Sequence, residues 1–388
     1  MLALTSPALT VAPLNASEPG AARHATTAAI DAPRPRRPPL VEELERPIVF
    51  PSAPPAVALE PEPEPVPIDR APAFASALEA ARAYGEAYGV AFAAVRDGAV
   101  IWGGASGRAR DGRTELAGAS PLVIGSVMKT FVAATVLQLV DEGRVRLEDP
   151  LRRHLPQLAQ FSEEITVAQL LDHTSGLADL FNDTTRRGLE EDPNRSWVAA
   201  EVLATLDEPW YQPGEGWAYA NTNYYLLAML IEAVTGAPLE AELDARFLEP
   251  LALGTAGLLD GADADSPLDE AWTSIFWGSG AMSASAVDLA RWGDALYAGD
   301  VLSAGSRAAM LDFNSNDYGL GVQRLEVGDL DGYGHTGLLN TYTTLLFHVP
   351  EERVTVALLV NRSHVDLGGM LTAEPADGPS LLELALGD

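Results

Sequence analysis

The chain has no cysteine. That removes disulfides, thiolate nucleophiles, zinc–sulfur sites and lipid attachment through an N-terminal cysteine, and it leaves the redox compartment open. Positive charge is also scarce: 25 lysines and arginines stand against 55 aspartates and glutamates, a net charge of −30 over 388 residues. Such a surface repels phosphate and argues against nucleic acid and anionic membranes as partners. No apolar run approaches the roughly 20 residues that cross a bilayer as a helix, so no transmembrane segment is expected. The six histidines (His24, His154, His173, His335, His348 and His364) are scattered without ligand spacing. No His-Glu-x-x-His occurs, so no metal and no other cofactor is expected. The deepest shortage is of lysine. Lys129 is the only one, and every other basic residue is arginine.

Arginine keeps its proton at accessible pH, whereas a lysine gives it up once burial or neighbouring charge lowers its pKa. Lys129 follows Ser126 by three positions in Gly125-Ser126-Val127-Met128-Lys129, at the head of an apolar stretch. Residues i and i+3 share one helix face, so the amine can take the serine's proton and activate it as a nucleophile. Drift in an arginine-preferring composition is the plain alternative. It would rarely leave its one stray lysine beside a serine in this register.

Over half of the 28 prolines precede Ala73, so residues 1–70 read as an extended, disordered leader or tether, with a start that makes a poor signal peptide. Residues 71–388 read as the folded domain. Val90–Val95 and Val100–Trp102 flank the hairpin signal Arg96-Asp97-Gly98, and three strand-like runs lie between 319 and 360. This predicts an α+β fold: one antiparallel five-stranded sheet built from both ends of the chain (71–120 and 315–388), flanked by helices. An all-helical subdomain (121–314) is inserted between them. The stretch Ile124–Val140 is apolar nearly all round, as a buried helix is.

Two further motifs follow. Tyr219-Ala220-Asn221 offers a phenol that can pass protons and an amide that can hold a carbonyl. Tyr333-Gly334-His335-Thr336-Gly337 leads into a strand whose edge could align a substrate and donate an N–H to an oxyanion. Alone, the first reads more readily as a polar helix start with ordinary aromatic packing, and the second equally as a turn with a solvated histidine. Trp277, in Phe-Trp-Gly-Ser-Gly, is a candidate pocket wall.

In this order, Ser-x-x-Lys, Tyr-x-Asn and His-Thr-Gly make the chain resemble the serine β-lactamase and penicillin-binding superfamily over roughly 72–384. Within it the resemblance is to the class C β-lactamase and D-alanyl-D-alanine carboxypeptidase branch. The resemblance implies a β-lactamase/transpeptidase-like fold and a serine hydrolase working through an acyl-enzyme. Ser126 would attack, Lys129 and Tyr219 would move its proton, and Asn221 would orient the acyl amide. His335, Thr336 and Gly337 would line the substrate, and the N–H groups of Ser126 and Leu338 would hold the oxyanion. His173, in His-Thr-Ser-Gly, would be structural. The implied substrates are D-amino-acid peptides, esters or β-lactams, met outside the cytoplasmic membrane. A D-alanyl-D-alanine carboxypeptidase-like peptidase is the leading expectation, with an esterase or β-lactamase, and a non-catalytic β-lactam or muropeptide-binding module, as alternatives. His335 in place of lysine leans away from a β-lactamase. Gln323 stands where the resembled carboxypeptidases have arginine, and Leu338 where they have threonine. A carboxylate would then be left to a protonated His335 and Thr336, since Arg324 should face the other way.

Overall fold

The computed structural model describes residues 70–158, 164–261 and 267–387. The leader expected at 1–70 lies outside them, Arg70 excepted. Arg96-Asp97-Gly98 does turn a hairpin: Asp97 (φ 52°) and Gly98 (φ 80°) both take positive φ, as a two-residue type I′ loop requires. It joins β1 (Gly89–Arg96) to β2 (Ala99–Gly107). Side chains of β1 alternate between two cores, Ala91, Ala93 and Val95 in one and Val90, Phe92 and Ala94 in the other. That period of two is the mark of a strand buried on both faces.

Three short strands follow, β3 (Leu122–Val123), β4 (Gly257–Leu258) and β5 (Met282–Ala284), and then β6 (Gln323–Val327), β7 (Leu330–Leu339), β8 (Tyr342–Val349) and β9 (Val354–Val360). The main sheet runs β2-β1-β9-β8-β7-β6, antiparallel throughout. Phe92 lies opposite Leu358, which joins the early part of the chain to the late part. The sheet has six strands rather than the expected five. The additional strand is β7: His-Thr-Gly, expected to lead into a strand, lies within one of its own, and the run expected at 319–323 becomes pairing strand only from Gln323. Gly332, Gly334 and Gly337 lower the strand propensity of β7. They are there for contact: a Cβ at Gly334 would lie 1.9 Å from Leu346 O. The middle segment is not all-helical either, because β3, β5 and β4 form a small sheet of their own.

Helices Ala71–Tyr84, Leu367–Thr372 and Leu381–Leu386 cover one face of the main sheet. Ala286–Tyr297 crosses the other, with Gly293 letting it close on Leu346 and Thr355. Met128–Asp141 is buried nearly all round, as its sequence predicts. It is pinned from one side by Phe131 stacked on Trp292 at 3.9 Å, whose Nε1 donates to Thr130 Oγ1 (2.8 Å). Against it pack Asn221–Thr235 and Glu270–Gly280. The three helices and β7 converge on Ser126.

Candidate active site

Ser126 lies in a 3₁₀ turn, Gly125–Val127, that runs directly into the helix Met128–Asp141. Two glycines let this turn touch β7. Gly125 takes φ 52°, and a Cβ there would sit 3.0 Å from Leu338 N. A Cβ on Gly337 would sit 2.0 Å from Ile124 O. Ile124 N donates to Met282 O (2.9 Å) and Thr344 Oγ1 to Val123 O (3.1 Å), so the turn cannot simply retreat. Gly337→Ala is therefore expected to push the serine off its position and lower kcat/KM by about 10²-fold, the cost of roughly an ångström of misplacement. Kinetics beside a thermal melt would check it, and a variant as active as the parent would refute the contact.

Lys129 is 0% exposed. Its Nζ donates to Ser126 Oγ (3.0 Å), Asn221 Oδ1 (2.9 Å) and Ser279 O (2.7 Å). Burial pushes its pKa down to about 7, with the Asp179 carboxylate opposing. Asn221 Oδ1 and Ser279 O can only accept. Once the amine is neutral, those two oxygens hold its two hydrogens and leave the lone pair aimed at Ser126. The geometry thus suits the amine to take the hydroxyl proton. Tyr219 lies beside Ser126, with Lys129 Nζ 5.0 Å from its ring, and burial raises its phenol well above the usual range. It remains protonated at neutral pH and is suited to relay a proton, as donor and acceptor, rather than to act as a phenolate base.

His173 holds this segment in place. Its ring lies 4.3 Å from that of Tyr219. Its Nδ1 accepts from Ala220 N (3.2 Å) and pairs with Asn223 Nδ2 (2.9 Å). Asp179 is the residue that sequence reasoning missed. One of its oxygens accepts from Asn221 N (3.0 Å) and the other from Asn221 Nδ2 (3.2 Å). It follows His173 by six positions in the same His-Thr-Ser-Gly loop. That proximity was the only signal available.

On the facing side, β6 pairs with β7 only as far as Gln323 opposite Gly334. Gln323 Oε1 then accepts from Thr336 N (2.9 Å) and Thr336 Oγ1 (3.0 Å). Two residues on, Leu338 N points to the same edge, beside the serine turn and without a β6 partner. This edge of β7 is thus open to an added strand.

His335 does not meet its expectation as a protonated anchor. It is buried, its Nε2 is bonded to Tyr318 OH (2.9 Å) and its Nδ1 donates to Thr336 O (2.6 Å). Burial and then Lys129 push its pKa down to about 3, so it is neutral at working pH. Arg324 is turned away as expected, stacked over Phe313 and 57% exposed. Trp277 is not drawn into the polar cluster; its indole packs edge-on against Tyr225 at 5.4 Å, among the hydrophobic residues.

A model of the Beta-lactamase family matches residues 74–374. The chain belongs to that family. It is 29% identical to penicillin-binding protein 4 of Amycolatopsis lactamdurans over 64% of this chain and 72% of that one. It is 28% identical to a D-aminopeptidase of Brucella anthropi over 70% of this chain, but spans only 56% of the relative's length. Among solved structures, a D-stereospecific amidohydrolase from Streptomyces sp. superposes with a TM-score of 0.65 at 28% identity, covering 77% of this chain and 96% of that one. A D-amino acid amidase from Ochrobactrum anthropi SV3 gives 0.63 at 25%, covering 76% and 91%. The protein is a serine hydrolase of the β-lactamase and penicillin-binding superfamily. No helix among the described residues is long and apolar enough to cross a membrane.

Proposed function

We propose that the protein hydrolyses amide bonds of D-amino-acid substrates, as an amidase or aminopeptidase, through an acyl-enzyme on Ser126. Lys129 takes the serine proton, and Tyr219 passes it to the leaving amine. Asn221 orients the acyl group along the free edge of β7, with Ser126 N and Leu338 N on the oxyanion. Water then releases the acyl group by the reverse proton path.

One observation carries the choice of substrate. Among the described residues, the three positions of β6 and β7 considered for a C-terminal carboxylate offer it no cation: His335 is neutral, Gln323 is bound to Thr336, and Arg324 faces away. A free carboxylate brought here would lose its hydration without a partner. The net charge of −30 further disfavours anionic substrates and favours those with a free α-ammonium. Both points move the reading from a D-alanyl-D-alanine carboxypeptidase toward amides and N-terminal D-residues. The D-aminopeptidase and D-amino acid amidase likenesses support the same choice. Action outside the cytoplasmic membrane, where peptidoglycan fragments are met, belongs to the proposal and draws support from the penicillin-binding relative.

The test compares D-alanine amide and D-alanine p-nitroanilide, their L-enantiomers, and an N-acylated peptide ending in D-Ala-D-Ala. Turnover of the D-amides above the L-forms and above the carboxylate peptide is the expected result. Faster release of D-alanine from the carboxylate peptide would return the reading to a carboxypeptidase.

A further inference from the structure

Lys129 can present its lone pair to Ser126 only while the carbonyl of Asn221, and not its NH2, faces the amine. A carboxamide has no intrinsic preference between those two orientations, so something must choose. Asp179 has acceptors only, and it lies on the other side of the amide. It takes Asn221 Nδ2 at 3.2 Å and Asn221 N at 3.0 Å, which leaves Asn221 Oδ1 at 2.9 Å from Lys129 Nζ. A flipped amide would set NH2 against ammonium and carbonyl against carboxylate. The backbone bond also caps the start of the helix Asn221–Thr235, where negative charge is favoured. Asp179 is itself held by Phe181 N (3.3 Å), so the carboxylate is fixed before it fixes the amide.

We propose that Asp179 is a positioning residue that orients the Asn221 carboxamide, carbonyl toward Lys129, and so aims the amine at Ser126. This rests on the acyl-enzyme reading of Ser126. The titratable groups around the amine come from several elements. His173 lies in the His-Thr-Ser-Gly loop, Tyr219 and Tyr224 in the Tyr-x-Asn segment and its helix, and His335 in β7. Both histidines are held neutral and both phenols protonated by burial. Among these groups Asp179 is the carboxylate, its own pKa raised by burial, against which the N–H groups of Phe181 and Asn221 and the Lys129 charge act. Its field raises the proton affinity of Lys129 against the larger effect of burial. Loss of Asp179 should therefore do two things at once: slow the serine, and move the acid limb of its reactivity to lower pH.

The experiment follows covalent labelling of Ser126 by a fluorophosphonate, a probe that does not depend on the natural substrate. The labelled residue is mapped by mass spectrometry and the rate is measured from pH 5 to 9. A wild-type protein that does not label at Ser126 would overturn the acyl-enzyme reading, and this inference with it. Given labelling, Asp179→Asn is expected to slow it at least about tenfold and to move the acid limb down by about one unit, since an opposite charge at this range shifts a pKa by that order. The exchange Asp179→Asn with Asn221→Asp restores every hydrogen bond, with the new NH2 donating to the new carboxylate and that carboxylate accepting from Lys129. Its rate should recover at high pH while its limb moves above the wild-type position, because the charge now touches the amine. This second variant carries the test if the first does not fold. Asp179→Asn labelling within about twofold of wild type on an unshifted limb would overturn the proposal, since a removed proton-transfer aid costs far more. So would an exchange variant that neither recovers rate nor raises the limb.

Discussion

Lys129→Arg is expected to slow acylation of Ser126 by about 10³-fold, inside the 10²–10⁴ that a general base contributes. The substitution keeps a positive charge and removes the capacity to lose a proton, while placing a larger, planar group in the same buried site. In the wild type the competent form is the free amine, whose pKa burial has lowered to about 7. Activity is thus expected to be lost as pH falls through about 7, tenfold for each further unit, and to level off above it. A kcat/KM profile from pH 5 to 9 reads this directly; a rate that stays flat down to pH 5, or that still rises tenfold per unit at pH 9, would reject an amine titrating near 7 as the base. Stability should follow the same titration. Between about 7 and the ordinary value of 10.5 the unfolded chain binds a proton that the native amine does not, so stability rises with pH across that window and sits on its lower plateau below it. Lys129→Met, which removes the buried charge, should accordingly melt higher than the wild type at pH 6 while having no activity.

Ser126→Ala should have the largest effect, a fall of about 10⁶-fold of the size seen when a serine hydrolase loses its nucleophile. The hydroxyl supports little packing: its neighbours are Lys129, 3.0 Å away, and Tyr219. The variant should therefore fold normally, and its inactivity can be assigned to chemistry. Intact-mass spectrometry after incubation with benzylpenicillin or a D-amide should show an adduct on the wild type alone. An adduct of equal mass on Ser126→Ala would place the nucleophile elsewhere.

The serine and the lysine could be paired from the sequence because the rule linking them is local, whereas Tyr219 and Asn221, the latter 92 residues beyond the lysine, took their roles only from the family resemblance. Three residues apart on a helix means one face, and a lone lysine in an arginine-rich chain draws attention to that face. The β7 strand was harder to see for a physical reason. Its glycines answer to Leu346 O and Ile124 O across the fold, contacts that no window of sequence contains. The state of His335 was hidden in the same way, since exposure decides it and exposure is set by Tyr318, 17 residues earlier. Asp179 is 42 residues from the amide it binds. An acidic residue in a chain with 55 of them carries no mark until the fold brings it to a partner.

The burial of Lys129 has a consequence at the bench. In the folded state no ε-amine is offered to an activated ester, an aldehyde crosslinker or a lysine-specific protease, because the only one lies at 0% exposure beneath three hydrogen bonds. Reagents that decorate most proteins at random would leave every internal position of this one unmodified. An amine-directed label found at Lys129 would then report that the site had opened, which makes its single lysine a built-in probe of local unfolding around the serine.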